Sequence, residues 1–433
     1  MKRIFASISL MLIMVASALA QTGTWTGKLQ VQGMELALVF HIDENSAVLD
    51  VPDQGAKDIP VTVTRSACGS IKLDIPDINA SYDGLWTGKL ITGTFTQHGL
   101  QFPLPLTHGA PVLDRPQTPA GPFPYVNEDV TFSNGDAVLK GTLTIPENCS
   151  RETPVLIMVT GSGLQNRDEE MFGHKPFMVI ADAFARAGIA TLRYDDRGFG
   201  ESTGDVISCT TEDLKNDALA GIQLLRKRFD HVGVLGHSEG GSIGLLLAAG
   251  DNADFVISLA GMVISGAETL LEQNRHALAD AGAVQADVDS YCRLLSETYA
   301  AVVSGQPLPS PDDYDIPDGL KQNWTMASRQ LKTPYMKYFL AMDLTGKLGD
   351  IACPVMALNG TLDMQVSCER NLEALRRGLP AGPESKNVVK AEDGLNHLFQ
   401  HCRTGEPSEY KEISETFSPG VISEMSTWIK SLF

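Results

Sequence analysis

Positive charge is scarce in this chain. Its 433 residues carry 34 Lys and Arg against 53 Asp and Glu, a formal net charge of −19. So acidic a surface repels polyanions, which argues against nucleic acid or anionic lipid as a partner. Long apolar runs are equally scarce. After residue 20 no stretch approaches the roughly 20 apolar residues that span a bilayer, so no membrane anchor is expected. Paired Cys-x-x-Cys spacing is missing as well. Cys68, Cys149, Cys209, Cys292, Cys353, Cys368 and Cys402 stand apart, which argues against a structural zinc site. No metal and no cofactor is expected. The odd number of cysteines leaves at least one thiol free.

What is present begins with a short leader. Lys2 and Arg3 precede an apolar run over 4–15, and Ala18-Leu19-Ala20 fits a signal-peptidase site. Residues 1–20 therefore read as a cleaved secretory signal peptide, with Gln21 as the mature start. The run is too short to span a bilayer comfortably, and no cysteine follows the cleavage site to accept a lipid. The expected location is periplasmic or secreted, where disulfides are permitted. Cys368 and Cys402 lie in two loops argued below to be neighbours, so a bridge between them is conceivable; buried free thiols are the alternative.

Length points to two domains. Residues 21–107 read as short strands separated by turns, a small antiparallel barrel or sandwich. Within them Trp25-Thr26-Gly27-Lys28-Leu29 is echoed by Trp86-Thr87-Gly88-Lys89-Leu90. The pair could form carbohydrate-stacking platforms, but two Trp at strand starts are more often packing. Residues 108–124 hold Pro111, Pro116, Pro119, Pro122 and Pro124, the composition of a semi-rigid linker.

From residue 125 the pattern changes. A hairpin turns at Asn134-Gly135. A continuous apolar run at 155–159 and further strands at 189–194, 231–235, 255–259 and 354–358 alternate with helical segments at about 176–187 and 214–229, the signature of a parallel sheet with helices on both faces. Between about 262 and 348 the alternation stops, and helical periodicity over 267–281 and 288–303 is followed by a third helical piece. This reads as a helical cap inserted over the strand ends, where it would shape a pocket and exclude water.

One stretch organises the rest. Val232-Gly233-Val234-Leu235 runs into Gly236-His237-Ser238-Glu239-Gly240, and a helical segment follows. Strand, Gly-x-Ser-x-Gly turn and helix together make a nucleophile elbow, with the serine hydroxyl lifted above the sheet. Asp363 follows the strand ending at Leu358, and His397 follows a short strand near 387–389. Serine, acid and histidine then come in the chain order of the α/β-hydrolase fold. Ser238 is the expected nucleophile, His397 its base, and Asp363 the residue that orients the imidazole. His401, four residues past His397, and Asp393, close to it in sequence, are weaker rivals. His237 is taken as a variable position. The oxyanion hole is expected from the backbone amides of Glu239 and Ser162, the latter in Thr160-Gly161-Ser162-Gly163. A phosphate-cradling loop there is excluded, because no Lys-Ser/Thr follows.

These motifs, with Tyr194-Asp195-Asp196-Arg197-Gly198-Phe199-Gly200-Glu201-Ser202 and Gly394-Leu395-Asn396-His397, resemble secreted two-domain esterases of the α/β-hydrolase superfamily, in the serine aminopeptidase (S33)-like group. The resemblance covers about 125–433 and implies the same Ser238, Asp363 and His397. Thr160 stands where many members carry histidine. Arg197 is expected to be structural. The sequence thus predicts a small all-β domain followed by an α/β-hydrolase domain acting on short-chain acyl or aryl esters, free or attached to polysaccharide. An aminopeptidase of the same fold is the alternative, needing an acidic residue such as Glu272, Asp312, Asp313 or Asp315 to hold a substrate amine. A carbohydrate-binding protein with a vestigial hydrolase domain is a further one. Oligomeric state is not legible.

Overall fold

The computed structural model describes residues 21–31, 34–43, 46–54, 56–66, 69–97, 99–109 and 115–433. The leader, Cys68 and Pro111 lie outside the described residues. The chain divides into two compact units. One runs up to Arg115 and includes Glu170–His174; the other holds Pro116–Glu169 and Lys175–Phe433. The expected division near 108–124 therefore acquires one exception, a five-residue excursion of the catalytic part that groups with the front unit.

The first unit is a barrel. Its strands are β1 (Gly23–Val31), β2 (Met34–Ile42), β3 (Ala47–Val51), β4 (Ala56–Arg65), β5 (Ser70–Ile75), β6 (Ala80–Trp86), β7 (Leu90–Gln97), β8 (Leu100–Pro103) and β9 (Leu106–His108). They pair antiparallel in the order β6-β5-β4-β3-β2-β1-β9-β7-β8, and β6 pairs back onto β7. That closure leaves only the short β8 at an edge among the described residues, where an open antiparallel sheet would present two. The period of two is plain in β3, where Ala47, Leu49 and Val51 are buried and Val48 and Asp50 only half so. Phe40, Leu49, Leu73, Tyr82 and Phe95 fill the interior. Trp25 belongs to that interior: it is 2% exposed, and its indole Nε1 donates to the Gln21 carbonyl at 3.1 Å. Trp86 packs half-buried against the same cluster. A buried Trp25 offers no ring face to a sugar, so the Trp echo is packing.

The second unit is an eight-stranded sheet in the order β10-β11-β13-β12-β14-β15-β16-β17. β10 (Val126–Asn134) and β11 (Ala137–Ile145) form the expected hairpin, with Gly135 at φ +58° in its turn. β12 (Val155–Val159), β13 (Ala190–Tyr194), β14 (Val232–His237), β15 (Val256–Leu259), β16 (Val355–Gly360) and β17 (Val388–Glu392) run parallel to one another, and β13 pairs antiparallel with β11. All but β17 are buried along their whole length, as unbroken apolar runs require when both sheet faces are covered. Alternate residues serve opposite cores. Ile157, Val234 and Val256 pack with α2 (Thr211–Leu225), α3 (Glu239–Ala249) and α8 (Cys368–Gly378). Leu156, Met158, Leu235 and Ile257 pack with α1 (Pro176–Arg186) and α9 (Pro419–Lys430).

Between β15 and β16 lie α4 (Gly266–Asp280), α5 (Gln285–Ser304), α6 (Asp318–Gln330) and α7 (Pro334–Ala341). Four helices replace the two and a fragment read from periodicity. They build a small core of their own around Tyr291, Leu294, Tyr299, Trp324 and Leu340. No helix among the described residues is long and apolar enough to cross a membrane.

All six described cysteines are free, and the conceivable Cys368–Cys402 bridge is absent. The two thiols face different groups. Cys368 opens α8 with its Sγ 3.5 Å from the Asn359 carbonyl, whereas Cys402 Sγ lies 3.7 Å from the Gly394 carbonyl. Burial pushes the Cys368 thiol up to about 11.

Candidate active site

The elbow is enforced by crowding. β14 ends at His237, Ser238 sits at φ 53°, ψ −119°, and α3 starts at Glu239. That conformation is strained for a residue with a side chain, at a cost of order 1–3 kcal/mol. It survives because its neighbours leave no room for anything else. A Cβ on Gly236 would lie 1.9 Å from the Gly240 carbonyl oxygen, and one on Gly240 would lie 2.0 Å from that of Val159. The Ser238 amide donates to the Leu259 carbonyl at 2.8 Å, which ties the turn to β15.

Asp363 and His397 meet as expected. The Asp363 carboxylate is wholly buried. Its Oδ1 accepts the amides of Gln365 at 2.8 Å and Val366 at 2.9 Å. Its Oδ2 lies 2.8 Å from His397 Nδ1. A carboxylate only accepts, so Nδ1 carries a proton and Nε2 is the nitrogen left for other partners. The histidine loop is pinned in turn: Leu362 donates its amide to the Leu395 carbonyl at 3.0 Å, and Asn396 Oδ1 accepts the amides of Leu398 and Gln400.

Ser238 belongs to the same corner. The residue before it, His237, sends Nε2 to the His397 carbonyl at 2.9 Å, and the two imidazoles lie 4.7 Å apart by ring centroid. Among the described residues Ser238 Oγ makes no hydrogen bond, so the serine–imidazole contact is not yet closed. Such contacts commonly tighten only in the substrate complex.

The loop after β12 passes directly over the serine. A Cβ on Gly161 would come 3.1 Å from Ser238 Cβ. The Gly161 amide is already used, donating to Glu169 Oε1 at 2.8 Å. The amides of Ser162 and Glu239 have no acceptor among the described residues. Two unused N–H groups beside a half-buried serine can take the charge of a tetrahedral oxyanion, and the Glu239 amide adds the positive end of α3.

Further side chains complete the corner. Glu169 is 1% exposed and sits at φ +52°. Its Oε1 serves Gly161 and also His237 Nδ1, at 2.9 Å. His237 thus faces a carboxylate on one nitrogen and a carbonyl on the other, and both can only accept. That pairing favours the doubly protonated imidazolium. Burial by itself would lower its pKa, but the charge and hydrogen bond of Glu169 and the His397 carbonyl outweigh burial and raise it. Glu239, equally buried, accepts from Ser162 Oγ at 2.8 Å, Thr211 Oγ1 at 2.6 Å and Tyr335 Oη of α7 at 2.5 Å. Burial, then the Glu239 charge, pushes the Tyr335 phenol well up. Asp196 is also buried. It accepts from Thr160 Oγ1 and the Gln165 amide, and burial, reinforced by Glu169 and Glu239, raises its pKa well above the usual range.

Glu169, Thr211 and Tyr335 carried no sequence signal, lying far apart along the chain. The one available hint was His237 and Glu239 themselves, two ionisable residues where strand and helix are otherwise apolar. The rivals fall away. His401 is exposed and pairs with Glu415, and Asp393 touches Thr361. Arg197, 4% exposed, holds Asp217 through two 2.7 Å bonds and is structural, as expected. Among the described residues no group of His, Cys, Asp or Glu is arranged to hold a metal ion.

A family model described as serine aminopeptidase, S33, matches residues 175–298. Esterase EstD of Thermotoga maritima is 27% identical over 314 residues, covering 71% of this chain and 68% of its own. Among solved structures, the ferulic acid complex of Est1E from Butyrivibrio proteoclasticus is 18% identical with a TM-score of 0.42, covering 70% of this chain and 98% of the other. Esterase Pf2001 of Pyrococcus furiosus is 15% identical with a TM-score of 0.44, covering 75% and 99%.

Proposed function

We infer that this chain, an α/β-hydrolase, is a serine carboxylesterase that cleaves short-chain acyl or aryl esters through an acyl-enzyme. The observation that carries the reading is one corner of the sheet. Its support is a strained serine, two amides without an acceptor among the described residues, and a histidine held through Nδ1 by an aspartate.

The chemistry follows from those groups. His397 Nε2 takes the Ser238 proton as Oγ bonds to the ester carbonyl carbon, and the carbonyl electrons move onto oxygen, facing the Ser162 and Glu239 amides. Asp363 keeps the proton on Nδ1 and stabilises the imidazolium that forms. Collapse expels the alcohol, which takes the proton from Nε2 and leaves an acyl-Ser238. Water, deprotonated by His397, repeats the sequence and releases the acid. No step calls for a metal or redox cofactor.

The description of the matched model suggests aminopeptidase activity, which would need an unsatisfied acidic group to hold an amine. Arg370 engages Glu272 through Oε1 only, and Glu272 Oε2 is buried without a hydrogen-bond partner; Asp312 is engaged by Lys321, so the acidic residues do not separate the two readings. EstD, an esterase by name, favours the esterase. The basic and apolar character of residues 2–15 and the Ala18-Leu19-Ala20 site support action outside the cytoplasm.

The test compares p-nitrophenyl acetate, butyrate and octanoate with aminoacyl p-nitroanilides, using wild type and Ser238→Ala. Fast ester turnover that falls by several orders of magnitude in the variant is expected. Faster anilide cleavage would move the assignment to a peptidase, and full activity in Ser238→Ala would remove the nucleophile.

A further inference from the structure

The two residues whose amides face the developing oxyanion also touch through their side chains. Ser162 Oγ donates to Glu239 Oε2 at 2.8 Å. The ends of this link differ in kind. Glu239 opens α3, so its backbone is set by the helix. Ser162 lies on an exposed loop, where nothing regular fixes its peptide plane, and its amide is free. The carboxylate of Glu239 is itself held from two further sides. Thr211, fully buried at the start of α2, donates to Oε1 at 2.6 Å. Tyr335, on the first turn of the last cap helix, donates to Oε2 at 2.5 Å. Three hydroxyls from three separate segments converge on one buried carboxylate.

We propose that this carboxylate is the strut of the oxyanion hole: Tyr335 and Thr211 fix the Glu239 side chain, and through Ser162 Oγ it fixes the Ser162 amide in line with the Glu239 amide. Tyr335, Thr211 and the Glu239 carboxylate are positioning residues, acting through the Ser162 peptide and touching no reacting atom. Because Tyr335 belongs to the cap, the hole is complete only while α7 is seated on the elbow. This rests on the serine hydrolase reading above and deepens it by making the cap part of the electrostatic machinery as well as the wall of the pocket. An oxyanion donor works by being in place before the charge appears, so a peptide free to tilt loses transition-state stabilisation while leaving substrate binding much as it was.

A second tyrosine supplies the control. Tyr338, one turn further along α7, donates to Glu212 at 3.0 Å. Tyr338→Phe loosens the same helix from the same domain without touching the strut.

The experiment measures kcat and KM for p-nitrophenyl acetate, and the affinity of phenylboronic acid, which forms a tetrahedral adduct on a reactive serine. Wild type, Tyr335→Phe, Ser162→Ala, Thr211→Val, Thr211→Ser, Tyr338→Phe and Ser238→Ala are compared. Full loss of one oxyanion donor costs about 10²–10³-fold in kcat, and loosening one should cost part of that. The expected result is a loss of roughly 10-fold or more in kcat for Tyr335→Phe and Ser162→Ala, with KM within about twofold and boronate affinity falling in step. Thr211→Val should behave likewise, Thr211→Ser should recover, and Tyr338→Phe should match wild type. Wild-type kcat in Tyr335→Phe and Ser162→Ala would overturn the strut. So would a loss shared equally by Tyr338→Phe, or a loss confined to KM. Activity persisting in Ser238→Ala would instead sink the underlying nucleophile assignment, so the two failures are told apart.

Discussion

The Glu169–His237 pair makes a prediction whose size and pH dependence both follow from its geometry. Each partner is buried, and the carboxylate also carries the Gly161 amide. Glu169→Ala leaves an imidazolium in the interior with no counter-charge. Breaking a buried pair from one side costs about 3–5 kcal/mol. In a unit of this size 1 kcal/mol moves Tm by about 2–4 °C, so Tm should fall by on the order of 10 °C. Glu169→Gln is the sharper probe. Its amide oxygen can take the Oε1 position and accept from both Gly161 and His237 Nδ1, but it brings no charge to hold a second proton on the imidazole. The variant therefore costs least where wild-type His237 has lost that second proton. Because the folded-state pKa of His237 is raised, the stability it contributes is fully present below the unfolded value of about 6.5. That contribution is lost as pH rises through the raised value. Thermal unfolding of wild type and Glu169→Gln from pH 5.5 to 9 should show a Tm gap that is widest in acid and narrows in alkali. A gap independent of pH, or one that widens as pH rises, would refute the imidazolium assignment.

Two other perturbations follow. Asp363→Asn should keep the fold but lower kcat on p-nitrophenyl acetate by about 10⁴-fold, since an amide can present its NH2 to Nδ1 and select the wrong tautomer; a loss under tenfold would refute the orienting role. Gly240→Ala places a methyl 2.0 Å from the Val159 carbonyl, so the β12–β14–α3 junction must part, and the protein should be recovered mostly insoluble; a soluble variant with wild-type Tm would show the junction to be loose.

What was legible in the sequence was whatever depends on local pattern. β12 announced itself as an unbroken apolar run, and β13 to β16 as short, largely apolar segments, because both sheet faces are covered. The hairpin at Asn134-Gly135 was legible because its turn demands a positive φ. The elbow was legible because only glycine fits at 236 and 240. The pairing of Asp363 with His397 followed from chain order, which the sheet topology fixes. The misses share one cause, dependence on where a side chain points in three dimensions. Cys368 and Cys402 follow the acid loop and the histidine, yet their thiols face different carbonyls. Trp25 and Trp86 look alike in sequence, but one lies inside the barrel and the other at its margin. The cap's fourth helix escaped because eight residues after Thr333 are too few to show a period, and only its cap bond from Met336 to Thr333 Oγ1 gives it away.

The residues flanking the nucleophile show why such an elbow asks for more than its glycines. Crowding at Gly236 and Gly240 sets the backbone turn, but a turn alone leaves three separate loops to find their mutual positions. His237 faces one way from the turn and, through Glu169 and the His397 carbonyl, draws in the loop at Gly161 and the loop of the histidine. Glu239 faces the other way and gathers Ser162, Thr211 and the cap at Tyr335. Both are buried ionisable groups and both would be costly alone. Each is satisfied by groups from segments that must converge for the chemistry. The desolvation cost at either position is thus recovered only when the site is assembled, so substituting one flank should loosen one set of loops and leave the other in place.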